Sequence, residues 1–208
     1  MYNRKSWIKG NTLRRRRISE RTVTVLAGTL LGDGHLAKTS SGKRFLSLHH
    51  GAKQLEFLLW KARQMPELFI EPLPIQYRPE TNSYQVRSIC RDDLEPYADG
   101  EFLLSKLTVE GLAVYFGDNG WISQKDKNLY IDIGSRFDEH IRVLMIDRIR
   151  ELGVKCSLAR KGGGKYWRIY LYREETQKLC SNFLGILPSC LHYKLTLNGN
   201  GNHTGGGE

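Results

Sequence analysis

Leu26-Ala27-Gly28-Thr29-Leu30-Leu31-Gly32-Asp33-Gly34 is a run of small and branched apolar residues that ends in an acid held between glycines. The pattern returns as Leu112-Ala113-Val114-Tyr115-Phe116-Gly117-Asp118-Asn119-Gly120. Leu112 and Ala113 fall on Leu26 and Ala27, and Gly120 on Gly34, at an offset of 86 residues. Ala and Gly on one stripe of a helix let a second such helix approach almost backbone to backbone. Two helices of this kind in one chain are therefore expected to pack against each other and to bring their tips, Asp33 and residue 119, side by side.

The sequence after each copy also repeats. A strand pair comes first: His35 to Lys38 with Phe45 to His49, and Trp121 to Ser123 with Leu129 to Ile133, around polar turns. An amphipathic helix follows, Lys53 to Gln64 with Leu55, Leu58, Leu59 and Ala62 on one face, and Asp138 to Leu152 with Ile141, Leu144, Met145 and Ile149. A second hairpin comes next, Pro74 to Arg78 with Tyr84 to Ile89, then Val154 to Arg160 with Tyr166 to Tyr172. Helices at Asp93 to Ala98 and Glu174 to Leu184 close the halves. The pattern predicts an α+β fold of two αββαββα half-domains, residues 22–104 and 105–195, related by a pseudo-two-fold axis, each with a four-stranded antiparallel sheet. A half cannot hide its sheet alone, so the two must share an interface. Residues 1–21 read as a basic arm and 196–208 as a flexible tail.

The 208 residues carry a formal charge of +10 with pI near 9.5. Arg4, Lys5, Lys9, Arg14, Arg15, Arg16, Arg17 and Arg21 stand against Glu20 alone in the arm. Such an excess calls for a polyanion, and nucleic acid is the first candidate. No apolar run is long enough to span a membrane, and the basic N-terminus lacks a secretory core. The expected setting is intracellular, in a prokaryotic cytoplasm or an organelle near the nucleoid. Cys90, Cys156, Cys180 and Cys190 form no CxxC pair and read as buried free thiols. His35, His49 and His50 lack metal-ligand spacing, His35 reading at most as a water or phosphate contact, and the four tryptophans read as packing residues.

The two motifs, with the repeated strand and helix order over about residues 20–195, resemble the single-chain, two-repeat LAGLIDADG homing endonucleases. The resemblance implies a monomeric DNA endonuclease whose paired acids hold Mg²⁺, or Mn²⁺ or Ca²⁺ in the same site, for phosphodiester hydrolysis. Carried onto this sequence, Asp33 and position 119 are the metal-binding and catalytic pair, with the carbonyls of Gly32 and Asp118 as further ligands. Position 119 is Asn, which removes one unit of negative charge. Three readings follow: an inactivating substitution, a natural loss leaving a binder or a nicking enzyme, or a register in which Asp118 takes over by pointing about 100° round the helix. Leu187 to Leu195 resembles the closing segment of single-chain members and offers Lys194 as the lysine whose charge lies beside the developing transition-state charge or polarises the water. Lys106, Arg87 and Arg91 are the first-half candidates.

Alternation along the strands nominates DNA-reading residues. In the first half these are Lys38, Lys43, Arg44, Gln76, Arg78, Gln85 and Arg87. In the second they are Gln124, Lys125, Lys127, Lys155, Arg160, Lys161, Lys165 and Arg168. The expected partner is double-stranded DNA with a near-palindromic site. The alternatives are a non-cleaving DNA binder, an RNA-splicing maturase of the same fold, and a basic structural protein.

Overall fold

The computed structural model describes residues 12, 13, 16–161 and 166–196. Most of the basic arm, the glycine turn with Lys165, the Lys161 side chain and the tail lie outside the described residues. Helix α1 (Glu20–Leu31) opens on Ser19, whose side chain accepts from the Thr22 N–H, and buries every residue from Thr24 to Leu31. Strands β1 (His35–Lys38) and β2 (Arg44–Gly51), helix α2 (Leu55–Arg63), and strands β3 (Gln76–Arg78) and β4 (Ser83–Arg87) follow. The closing element differs from expectation. Asp92–Ala98 is a 3₁₀ turn, because Pro96 has no N–H to extend an α ladder, and the α-helix begins only after the Asp99 cap, as α3 (Gly100–Ser105).

The second half repeats the order with α4 (Val109–Asn119), β5 (Gly120–Ile122), β6 (Leu129–Ile133), α5 (Glu139–Glu151), β7 (Cys156–Lys161), β8 (Tyr166–Leu171) and α6 (Arg173–Leu184). The sheets share one order, β1-β2-β4-β3 and β5-β6-β8-β7, with every neighbour antiparallel. One apolar cluster runs through both halves, so the fold has a joined core. No helix among the described residues is long and apolar enough to cross a membrane.

The halves meet along α1 and α4. A Cβ at Gly28 would sit 2.8 Å from the Val114 Cβ and closer still to the Gly111 carbonyl oxygen. One at Gly32 would sit 2.6 Å from the Asp118 Cβ. Both facing pairs, Gly28 with Val114 and Gly32 with Asp118, are 86 positions apart, which is the offset of the sequence repeat. Thr108 caps α4 by accepting from the Gly111 N–H at 3.1 Å, as Ser19 caps α1. Gly28→Ala must push backbone against backbone, and overpacking of that kind costs about 2–3 kcal/mol. A urea melt of the variant should show the loss with an unchanged slope.

Candidate active site

The tips of α1 and α4 leave the helix differently. After Leu31 the chain turns through Gly32 and Asp33 before β1 starts at His35, whereas α4 continues through Asn119 straight into β5 at Gly120. Side chains 118 and 119 therefore diverge by about 100°. Asp118 crosses the interface into the space that the missing side chain of Gly32 leaves free. Its Oδ2 accepts from the Asp33 N–H at 3.2 Å. Asn119 stays on its own half, its Nδ2 donating to the Asp132 carbonyl at 3.1 Å. The carboxylate beside the Asp33 N–H is thus that of Asp118, while the Asn119 amide is bonded within its own half.

Around the two acids the fold gathers groups that only tertiary structure brings together. Lys61 of α2 is completely buried and donates to Asp118 Oδ1 at 2.6 Å, with its ammonium 4.7 Å from the Phe57 ring. His50 of β2 is buried too; Nε2 lies 3.5 Å from Asp118 Oδ1, and Nδ1 lies 3.9 Å from Asp33 Oδ2 and 3.1 Å from Gln54 Oε1. Lys194 donates to the carbonyls of Gly117 at 2.8 Å and Asp118 at 3.3 Å, satisfying the exposed end of α4. Arg136 does the same for α1, donating to the carbonyls of Leu30, Gly34 (3.1 Å) and Gly32 (3.0 Å). The carbonyls expected as metal ligands at Gly32 and Asp118 are thereby already engaged by cations.

Burial holds the Asp33 carboxyl above its usual range; Asp118 adds to the effect and the lysines oppose it. Burial, and then the Lys61 ammonium, push the His50 imidazole down to about 3, so this ring is neutral. Burial also lowers Lys194 from the ordinary lysine value. One ligand atom each from Asp33, His50 and Asp118 lies within 4.8 Å of the others. His50 Nε2 is a buried polar atom without a hydrogen-bond partner, so a divalent cation fits this donor set. Asp33, with 45 % of its side chain exposed, is the open side of the cluster.

Among the basic candidates, Lys194 reaches this cluster. Lys106 does not: it follows α3 with its ammonium 4.8 Å from the Phe102 ring, and the stretch of α4 from Val109 to Gly117, about 14 Å, lies between it and Asp118. Arg91 is buried elsewhere, paired with Asp93 at 2.6 Å and bonded to the carbonyls of Leu13 and Arg16.

The sheet faces sort the DNA-reading candidates. Gln76, Arg78, Gln85 and Arg87 share the open face of the first sheet, since Arg78 and Arg87 both donate to Gln85 Oε1 and Gln85 Nε2 donates to Ser47 Oγ. Lys38 and Arg44 face each other across β1 and β2 in phase with half-buried Leu36 and buried Leu46. Both bind Glu95, at 3.1 and 2.6 Å, so they are held on the covered face, and Lys43 pairs with Asp92. In the second sheet, Arg168 lies on the open face beside Asp132, with its guanidinium carbon 5.4 Å from the Trp121 ring and 5.3 Å from the Tyr130 ring. Arg160 is in phase with Leu158 and lies 4.7 Å from the Trp167 ring on the other face. Gln124, Lys125 and Lys127 occupy the β5–β6 turn, and Lys155 precedes β7, exposed. Trp121 stacks on Tyr130 at 4.6 Å and heads an aromatic row through Tyr170 to Tyr172, in keeping with its reading as a packing residue.

Residues 23–179 match the model of the LAGLIDADG DNA endonuclease family. The homing endonuclease I-WcaI, solved bound to its DNA recognition sequence, shares the fold with a TM-score of 0.74 at 17 % identity over 95 % of this chain and 96 % of that one. I-DmoI, solved in complex with DNA and Ca, gives a TM-score of 0.51 at 12 % identity over 82 % and 95 %. Among curated proteins, Protein RecA of Mycolicibacterium flavescens is 29 % identical over 128 residues, 54 % of this chain. The chain spans under a third of that relative, 29 % of its length.

Proposed function

We propose, since this chain belongs to the LAGLIDADG DNA endonuclease family, that it is a site-specific endonuclease cutting both strands of a long, near-palindromic duplex. Its two repeats, 22–104 and 105–195, each take one half-site, and the protein acts as a monomer. The observation that carries this reading is the meeting of Asp33 and Asp118 at the tips of the paired helices, between the two strands that begin the sheets. A bound divalent ion, Mg²⁺ or a relative, supplies Lewis-acid activation of water and stabilisation of the leaving oxygen. Asp33 is the solvent-facing ligand and Asp118 the buried one. Lys61 neutralises Asp118, and Lys194 locks the backbone that carries it. Two ammonium groups against two carboxylates offset part of the attraction for a cation, so the scissile phosphate strengthens metal binding at a site the protein side chains already form.

In this reading Asn119 does not of itself disable the protein, because it is not the residue that opposes Asp33. A non-cleaving or nicking binder is the second reading, favoured by the 2.6 Å ion pair that already occupies Asp118. Incubating the full chain with a random duplex library and Mg²⁺ or Mn²⁺, then sequencing new ends, decides between them. Cut ends at one recurrent sequence support cleavage; enrichment of a bound sequence with no ends supports the binder.

The open faces differ, amide and guanidinium groups in the first half against an aromatic row in the second, so the target halves resemble each other only in part. Arg and Gln side chains can make paired bonds to guanine or adenine edges. Arg87→Ala is expected to cost about 1–3 kcal/mol of DNA affinity and to relax preference at one position. Competition binding with single-base variants of the selected site measures both.

A further inference from the structure

We propose that His50 is a third protein ligand of the cation held by Asp33 and Asp118, binding through Nε2 and giving the site a preference for Mn²⁺ over Mg²⁺. It rests on the reading of Asp33 and Asp118 as the cation-binding acids. Four observations lead to it. The His50 side chain is 1 % exposed, so its polar atoms have no recourse to solvent. Its Nδ1 faces the Gln54 Oε1 at 3.1 Å, and a carbonyl oxygen can only accept, so the ring proton sits on Nδ1.

That tautomer leaves Nε2 as a lone pair, and this atom is the one without a hydrogen-bond partner. Nε2 lies 3.5 Å from Asp118 Oδ1, so two acceptors stand close together in a buried place. Such an arrangement is unfavourable until a positive centre lies between them. Lys61 meets the carboxylate oxygen on one side, yet it provides Nε2 with no hydrogen bond.

A neutral imidazole oriented by a bond on its far nitrogen is the usual form of a metal-binding histidine, and Gln54 is then its positioning residue. Mn²⁺ takes oxygen as Mg²⁺ and Ca²⁺ do, but as a transition metal it accepts an imidazole nitrogen more readily than either. The strand pattern places His50 there: it follows Leu46 and Leu48 on the inward phase of β2, while His49 points out to Ser83.

The test is pulsed electron paramagnetic resonance of the full chain titrated with Mn²⁺ alone, without DNA. The expected result is modulation from a directly bound ¹⁴N nucleus that is absent in His50→Gln, with a Mn²⁺ over Mg²⁺ preference that falls at least about tenfold in that variant. Because His50 is buried, Gln54→Leu serves as the second variant. It should keep the nitrogen signal but weaken Mn²⁺ binding about tenfold. Mn²⁺ bound without nitrogen coupling, or no Mn²⁺ bound up to millimolar concentration, overturns the proposal. Stoichiometric Mn²⁺ lost on Asp33→Asn but lacking nitrogen coupling rejects His50 while keeping the acid pair. Nitrogen-coupled Mn²⁺ in a protein that cuts no library sequence keeps His50 and rejects the nuclease reading.

Discussion

Asp118→Asn is expected to lower DNA cleavage by about a thousandfold or more, equivalent to roughly 4 kcal/mol of transition-state stabilisation, while Asn119→Ala stays within a few-fold of the parent. Asp118 fills the space beside Gly32 and faces Asp33, whereas the Asn119 amide is spent on the Asp132 carbonyl of its own half. Asn119→Asp should likewise gain little, since an added carboxylate would meet a backbone carbonyl and not the cluster. Single-turnover cleavage of the selected target by the three variants measures the contrast. A large gain for Asn119→Asp together with indifference at position 118 would restore position 119 as the defective catalytic acid.

Lys61→Met is expected to destabilise the fold by about 3–5 kcal/mol, because it strands a fully buried carboxylate without its counter-charge. Most of the loss should vanish in Lys61→Met/Asp118→Asn, where neither charge remains. The single variant also has a second signature. A divalent ion can take over the role of the ammonium, so Mn²⁺ should raise the melting temperature of Lys61→Met more than that of the parent. Thermal unfolding in EDTA and in Mn²⁺ reads both effects. A loss that survives in the double variant would instead mean that Lys61 acts through its packing on Phe57.

The fold was legible because its signals are local and repeated. The helix stripes, strand alternation and 86-residue offset are all present in the order of residues, and the two sheets share one strand order as a consequence. The tips were not legible to the same degree. Identity of Gly34 and Gly120 aligns Asn119 with Asp33, yet the side chain beside the Asp33 N–H is that of Asp118, because Gly32 opens room across the interface and α4 stays helical for longer.

Lys61 left a signal that sequence reasoning can use. It stands four residues after Phe57 and three after Leu58 on the buried stripe of α2, where an unpaired ammonium would be untenable. His50 left a weaker one, its inward phase on β2. Parity likewise separates Arg87 from Arg44 and Arg168 from Arg160. Glu95 lies 51 residues beyond Arg44, too far along the chain for periodicity to reveal that it holds Lys38 and Arg44 away from the open face.

Anomalous scattering from Mn²⁺ in crystals of the protein with its selected duplex addresses the acid pair directly. A peak within about 2.0–2.6 Å of carboxylate oxygens from both Asp33 and Asp118 is the expected result. A peak ligated by Asn119 with Asp118 still closed on Lys61, or no peak between the helix tips, contradicts the assignment.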